Sequence, residues 1–175
     1  MTQYSKRMVI VHWLTLALLI VGWYLGEDLA EATDASKATL AGYVVHALVG
    51  GTVLLLTLTR LFFRSSDGTP PAVGQSALDK VAKGIHYILY LALIMLPVSG
   101  ITTVITSDAG KALMAGDASL LPKKGGYDHV FAHEVHETMF KVLIVLVLLH
   151  ILGAIKHQFI TKDGLMERMS LHRKD

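Results

Sequence analysis

Nine histidines and no cysteine set the chemistry open to this 175-residue chain. Without thiols it has no disulfide, no thiolate metal site, no iron–sulfur cluster and no covalent C-x-x-C-H attachment. Imidazole remains as metal ligand and proton carrier. His12, His46, His136 and His150 all fall inside apolar stretches. An imidazole in hydrocarbon is costly unless partnered, so each is a functional candidate by default.

Their spacing is informative. His136 and His150 are 14 residues apart. On a helix this is roughly 21 Å of rise at about 1.5 Å per residue, and it returns to within about 40° of the same face. One face therefore carries imidazoles at two levels of a hydrocarbon core about 30 Å thick. His46 lies about two turns into its stretch and His12 about one turn into its own, entered from the opposite side. Pairing by depth sets His46 with His136 near the outer surface and His12 with His150 near the inner one. Two such pairs across a four-helix bundle suit two six-coordinate haems, each iron held by neutral imidazole from both sides. Two other readings stay open. The histidines could each bond to carbonyls of neighbouring helices. They could also form a bare-metal path, although such sites commonly add carboxylates and Glu134 and Glu137 lie near one level only.

The elements that must position these residues follow from composition. The chain is 53% hydrophobic and 17% charged, with mean hydropathy +0.51, against about 25% charged residues in soluble domains. That excludes a disordered chain, a nucleic-acid module and an ordinary cytosolic enzyme, and a net charge of +2 implies no polyanionic partner. A spanning helix needs about 20 mostly apolar residues, and four stretches qualify, at about 8–26, 40–63, 85–106 and 135–160. The expectation is a single all-α domain over 1–175, an integral membrane four-helix bundle. The first stretch follows Lys6–Arg7, but it is too long for a signal-peptide core and no A-x-A-like site follows it. Lys6, Arg7, Arg60, Arg64, Lys80, Lys83, Lys156, Lys162, Arg168, Arg173 and Lys174 share one side, against Lys37, Lys111, Lys123 and Lys124 on the other. That bias predicts both termini in the cytoplasm. The first outer loop, from Glu27-Asp28-Leu29-Ala30-Glu31, is acidic, and the second, Ser107–Glu134, is long enough to cap an outer site. The inner loop around Thr69-Pro70-Pro71 reads as irregular.

Secondary candidates surround the four histidines. Gly50 and Gly51 follow His46, and Gly153 follows His150. They could leave room for a porphyrin, or simply allow close helix packing. Arg60 repeats the face of His46 at inner depth, where it could pair with a haem propionate or snorkel to headgroups. His86 and His157 lie towards the inner surface and could hydrogen-bond a quinone or a propionate. His133 competes with His136 as the outer ligand, while His129 and His172 read as solvated and Lys141 as reaching headgroups. Pro97 and Gly100 predict a kink in the third stretch.

The motifs Tyr4-Ser5-Lys6-Arg7, Ile10-Val11-His12-Trp13-Leu14, Val45-His46, Thr59-Arg60-Leu61, Gly84-Ile85-His86-Tyr87, Leu96-Pro97-Val98-Ser99-Gly100 and His136-Glu137-Thr138, with His150 and His157, resemble the bacterial cytochrome b561 family over nearly the whole chain. The resemblance implies two haems b, with His12, His46, His136 and His150 as axial ligands to the iron. It further implies a multi-pass protein of the bacterial inner membrane that passes electrons between a periplasmic donor and ubiquinone, the quinone lying near His157. Within the family the chain resembles in particular its superoxide-oxidising members, which take superoxide to O2 and reduce ubiquinone. The alternative is a non-catalytic cytochrome b subunit serving a soluble redox partner. Lys123 and Lys124 are candidates for steering superoxide, or are simply solvated.

Overall fold

A computed structural model describes residues 3–71 and 77–172; Arg173 and Lys174, two of the residues in the charge count, lie outside them. Four long helices dominate: α1 (Lys6–Asp34), α2 (Leu40–Asp67), α3 (Ala77–Thr106) and α5 (Phe131–Lys156). Each contains a segment long and apolar enough to cross a membrane, and the described residues contain no strand. A short α4 (Asp108–Ala115) and a 3-10 turn (Ala118–Leu120) lie between α3 and α5.

The helices outrun the apolar stretches. α1 continues through the acidic run at Glu27–Glu31 to Asp34, and α5 begins at Phe131. The acidic segment expected as loop is therefore helix. Hydropathy marks where hydrocarbon lies, whereas the hydrogen-bond ladder ends at a cap. Thr39 caps α2 by accepting from the Gly42 N–H at 3.1 Å, and Ser107 caps α4 by accepting from Ala109. The expected outer loop is likewise partly folded, because Gly116 takes a left-handed φ of 65° and stops α4 after two turns. α3 runs helically through Pro97.

Hydrocarbon cannot hydrogen-bond to exposed polar groups, so they are satisfied within the chain. Thr15, Thr33, Thr52, Thr57, Thr59 and Thr103 each donate their hydroxyl to the carbonyl four residues back. Lipid tails give helices no hydrophobic incentive to associate, so close packing matters more. α1 lies along α2, and α3 lies along both α2 and α5, while the backbone of α5 stays apart from those of α1 and α2. At Gly22 a Cβ would already meet Val49 at 3.4 Å. Large apolar side chains such as Ile20, Leu48, Leu55, Phe62, Ile105 and Leu152 cover the outer surface, the lipid-facing side of such a bundle.

The core is Val53, Ala92, Leu93, Leu143 and Leu146, with Leu18, Leu19, Leu89, Leu96 and Val147 packed on it. Val53 and Leu143 each follow His46 and His136 by seven residues, about 10 Å along a helix. The apolar centre therefore separates two polar levels.

The first and last described segments meet at one end of the bundle. Tyr4 N–H donates to the Arg168 carbonyl at 3.1 Å, Trp13 Nε1 to that of Met169 at 3.1 Å, and Gln3 Nε2 to that of Glu167 at 2.8 Å. Arg7 pairs with Asp67 and stacks on Phe63 at 4.3 Å, tying the start of α1 to the end of α2.

Candidate functional site

At the level nearer the α1–α2 turn, the one the charge bias predicts to be outer, the rings of His46 and His136 lie 6.2 Å apart, nearly perpendicular at 79°. His136 Nδ1 donates to the Leu96 carbonyl at 2.8 Å, with Ser99 Oγ at 3.3 Å. That bond fixes the tautomer and leaves Nε2 with its lone pair free, the usual support of a metal-bound imidazole. His46 Nδ1 is buried and makes no hydrogen bond of good geometry, although the Gly22 backbone lies close to the ring. Glycines bring the other two helices up to the rings. A Cβ on Gly26 would stand 3.2 Å from His46 Cε1, and one on Gly100 would stand 2.9 Å from His136 Cε1. All four long helices thus build this level.

The inner level is built the same way, from a different set. His12 and His150 lie 6.2 Å apart at 73°. His86 of α3 brings its ring to 5.1 Å from His150, with Nδ1 donating to the Ala82 carbonyl at 2.8 Å. Arg60 of α2 is within electrostatic reach of His12, His86 and His150. Its guanidinium faces the Tyr90 ring at 5.6 Å, and its Nε is buried without a partner. Sequence spacing gives no sign of the closeness of His86 to His150; it sets His86 near the inner surface, where it could hydrogen-bond a quinone or a propionate.

These arrangements fit a tetrapyrrole iron. Two metal–imidazole bonds of about 2 Å each, with half a ring on either side, put trans ring centres roughly 6 Å apart, and both pairs measure 6.2 Å. The pairs bridge α5 to α1 and α2, where the backbones stay apart. A Cβ built on Gly50, Gly51 or Gly153 meets no atom within 4 Å. The orphaned Arg60 Nε suits an anionic carboxylate. Among the described residues no three histidine or acidic side chains converge as a bare-metal site would need.

The remaining candidates separate from these pairs. His133 stacks on Tyr127 at 4.4 Å and reaches Glu137 Oε1 at 3.3 Å, so it is engaged elsewhere than at His46. Lys141 is exposed and near the Glu137 carboxylate at 3.7 Å. His157 donates from Nδ1 to Asp163 Oδ2 at 2.6 Å. Lys123, Lys124 and His129 are exposed on the outer segment.

That segment is held by a network the sequence did not reveal. Tyr127 donates its hydroxyl to Tyr43 at 2.7 Å, and Tyr43 lies 3.2 Å from Thr33 Oγ1. Tyr43 also packs with Ala109, Ala112 and Leu121, three residues ahead of His46. Burial and the bond to Tyr43 raise the Tyr127 pKa well above the ordinary phenol value, keeping it neutral. Tyr127→Phe is expected to cost about 1 kcal/mol and to loosen the cap. Faster tryptic cleavage at Lys111, Lys123 or Lys124 would register this, and unchanged cleavage would show that the bond does not hold the segment.

Residues 3–170 match the family described as prokaryotic cytochrome b561. The chain is similar to "Cytochrome b562" of Cereibacter sphaeroides, 31% identical with 97% of this chain and 98% of the relative covered. It is also similar to "Cytochrome b561 homolog 1" of Escherichia coli K12, at 26% over 99% and 100%. "Probable superoxide oxidase CybB" of Yersinia pestis is 25% identical, with 95% of each chain covered.

Proposed function

From the premise that this chain belongs to the prokaryotic cytochrome b561 family, bacterial multi-pass membrane proteins that bind haem b and transfer electrons, we propose that it carries two haems b and oxidises superoxide at one face while reducing ubiquinone at the other. The observation that carries the reading is the pair of 6.2 Å histidine couples at opposite ends of one apolar core. His46 with His136 and His12 with His150 would each hold one haem iron, and Arg60 would pair with a propionate at the inner level. Haem b supplies, when bound, a reversible one-electron iron couple.

The chain's own residues support this direction. The lysine and arginine bias supports a bacterial inner-membrane protein with both termini in the cytoplasm and the α4 segment in the periplasm. Lys123 and Lys124 present exposed positive charge locally, with Asp117 and Asp128 close by in sequence, and would attract a small anion that comes within about 10 Å of them. The outer step needs no proton donor, since superoxide leaves as O2 after losing one electron. Two superoxides, one quinone and two protons give two O2 and one quinol, so protons are needed only at the inner end, where His86 and His157 lie. The name of the Yersinia relative supports the donor.

Purified protein is expected to give two haems b per chain by pyridine haemochrome, both extractable by acid acetone because no cysteine is present. Superoxide should reduce both in stopped flow, more slowly as salt screens charges beyond about 10 Å at 0.1 M, and ubiquinone should reoxidise them. One haem or none refutes the ligand assignment. Reduction by a soluble protein donor but not by superoxide replaces the enzyme with an electron-transfer subunit.

A further inference from the structure

Beyond Lys156 the α5 helix widens into a π turn over His157–Thr161, and the chain then reverses, with Lys162 and Gly164 at left-handed φ values of 53° and 71°. A left-handed lysine is uncommon. The reversal brings Asp163 back to the helix it has just left. Its Oδ2 accepts from His157 Nδ1 at 2.6 Å, and its Oδ1 accepts from the Leu165 N–H at 3.0 Å. The two side chains are mostly enclosed, 21% and 16% exposed. Burial works to raise the Asp163 pKa, but the bonds from His157 and Leu165 outweigh it and hold the carboxyl below its ordinary value.

A carboxylate held from both sides fixes its imidazole partner. The Nδ1 proton stays on the bond to Asp163, and Nε2 becomes the position that exchanges protons. His157 follows His150 by seven residues, about 10 Å along nearly the same face. The other basic groups nearby are less suited to the task. Lys156 and Lys162 are exposed, and Arg168 Nη1 donates to the Pro71 carbonyl at 2.7 Å.

We propose that Asp163 is a positioning residue that makes His157 the proton donor to a quinone carbonyl oxygen at this end of the bundle, an inference that rests on the quinone reading above. His157 enters the step as imidazolium, bonded through Nδ1 to Asp163. The quinone gains two electrons from the reduced protein. The Nε2–H bond breaks as an O–H bond forms on one carbonyl oxygen, and the second oxygen takes its proton from water. The neutral ring keeps its Nδ1 proton and regains the other from water at the membrane surface. Asp163 stays anionic throughout.

The test uses full-length holoprotein in lipid nanodiscs, reduced beforehand and mixed with ubiquinone-1. Asp163→Asn should retain the haem spectrum, slow reoxidation about tenfold or more and move the His157 ring off the Nδ1–H tautomer in 15N-histidine NMR. Asp163→Glu should restore most of the rate and the tautomer. Wild-type rates in Asp163→Asn, or equal slowing in both variants with an unchanged tautomer, would reduce the carboxylate to a structural tie and overturn the proposal. If His157→Ala slows reoxidation while Asp163→Asn does not, only the role of Asp163 is lost. If neither slows it, the quinone reading for this end falls with it.

Discussion

His12→Ala and His150→Ala are each expected to abolish one and the same haem signal while leaving the other, and His46→Ala and His136→Ala are expected to do the converse. The prediction follows from pairing. Each couple joins helices whose backbones stay apart, α1 to α5 at the inner level and α2 to α5 at the outer. Removing either imidazole deprives one iron of an axial ligand, whereas the apolar core around Val53, Leu93 and Leu143 insulates the other level. The expected effect is loss of about one haem per chain, read as halved haemochrome content and loss of one component in low-temperature optical or EPR spectra. His86 sharpens the test, because its ring is 5.1 Å from His150. If His12→Ala keeps a six-coordinate inner haem and the His12→Ala/His86→Ala double variant does not, His86 has substituted as ligand. Loss of the same component from His12→Ala and His46→Ala would show that the pairing is wrong.

The couples were legible because depth and angle are one-dimensional properties of a helix. Hydropathy sets how deep a residue lies, and 3.6 residues per turn sets its face. The 14-residue interval between His136 and His150 thus carried both coordinates. The rotation of one helix against another is not encoded this way, so the approach of His86 to His150 and the Leu96 carbonyl beneath His136 emerge only from packing. The same holds at the outer cap, where Tyr43 and Tyr127 are 84 residues apart and meet through a hydrogen bond that no periodicity announces. Gly50 and Gly100 also look alike in sequence. In the structure a Cβ on the first meets nothing, and one on the second collides with His136.

That collision supports the second large effect, at a residue that ligates nothing. Gly100→Val is expected to destroy the outer haem signal with the inner one retained, and Gly100→Ala to weaken it. A Cβ at position 100 would lie 2.9 Å from His136 Cε1, closer than Cβ contacts allow, and a tight 3.1 Å from Nδ1. The ring cannot simply swing away, since its Nδ1 is held by the Leu96 carbonyl at 2.8 Å, one turn earlier on α3 itself. Alanine asks the ring to yield by a few tenths of an ångström, stretching that bond and shifting the ring relative to His46. Valine adds two methyl groups in the same direction, so either the ring leaves its tautomer-fixing partner or α3 moves off α5. Helix propensity alone argues the other way, because replacing an interior glycine by alanine gains roughly 1 kcal/mol. Gly84→Ala measures that gain on the same helix, since a Cβ there meets nothing within 4 Å. The expected order of outer-haem retention is therefore wild type and Gly84→Ala together, then Gly100→Ala, then Gly100→Val. Full outer-haem content in Gly100→Val would show that His136 can be held without Leu96 and that the close approach of α3 is dispensable.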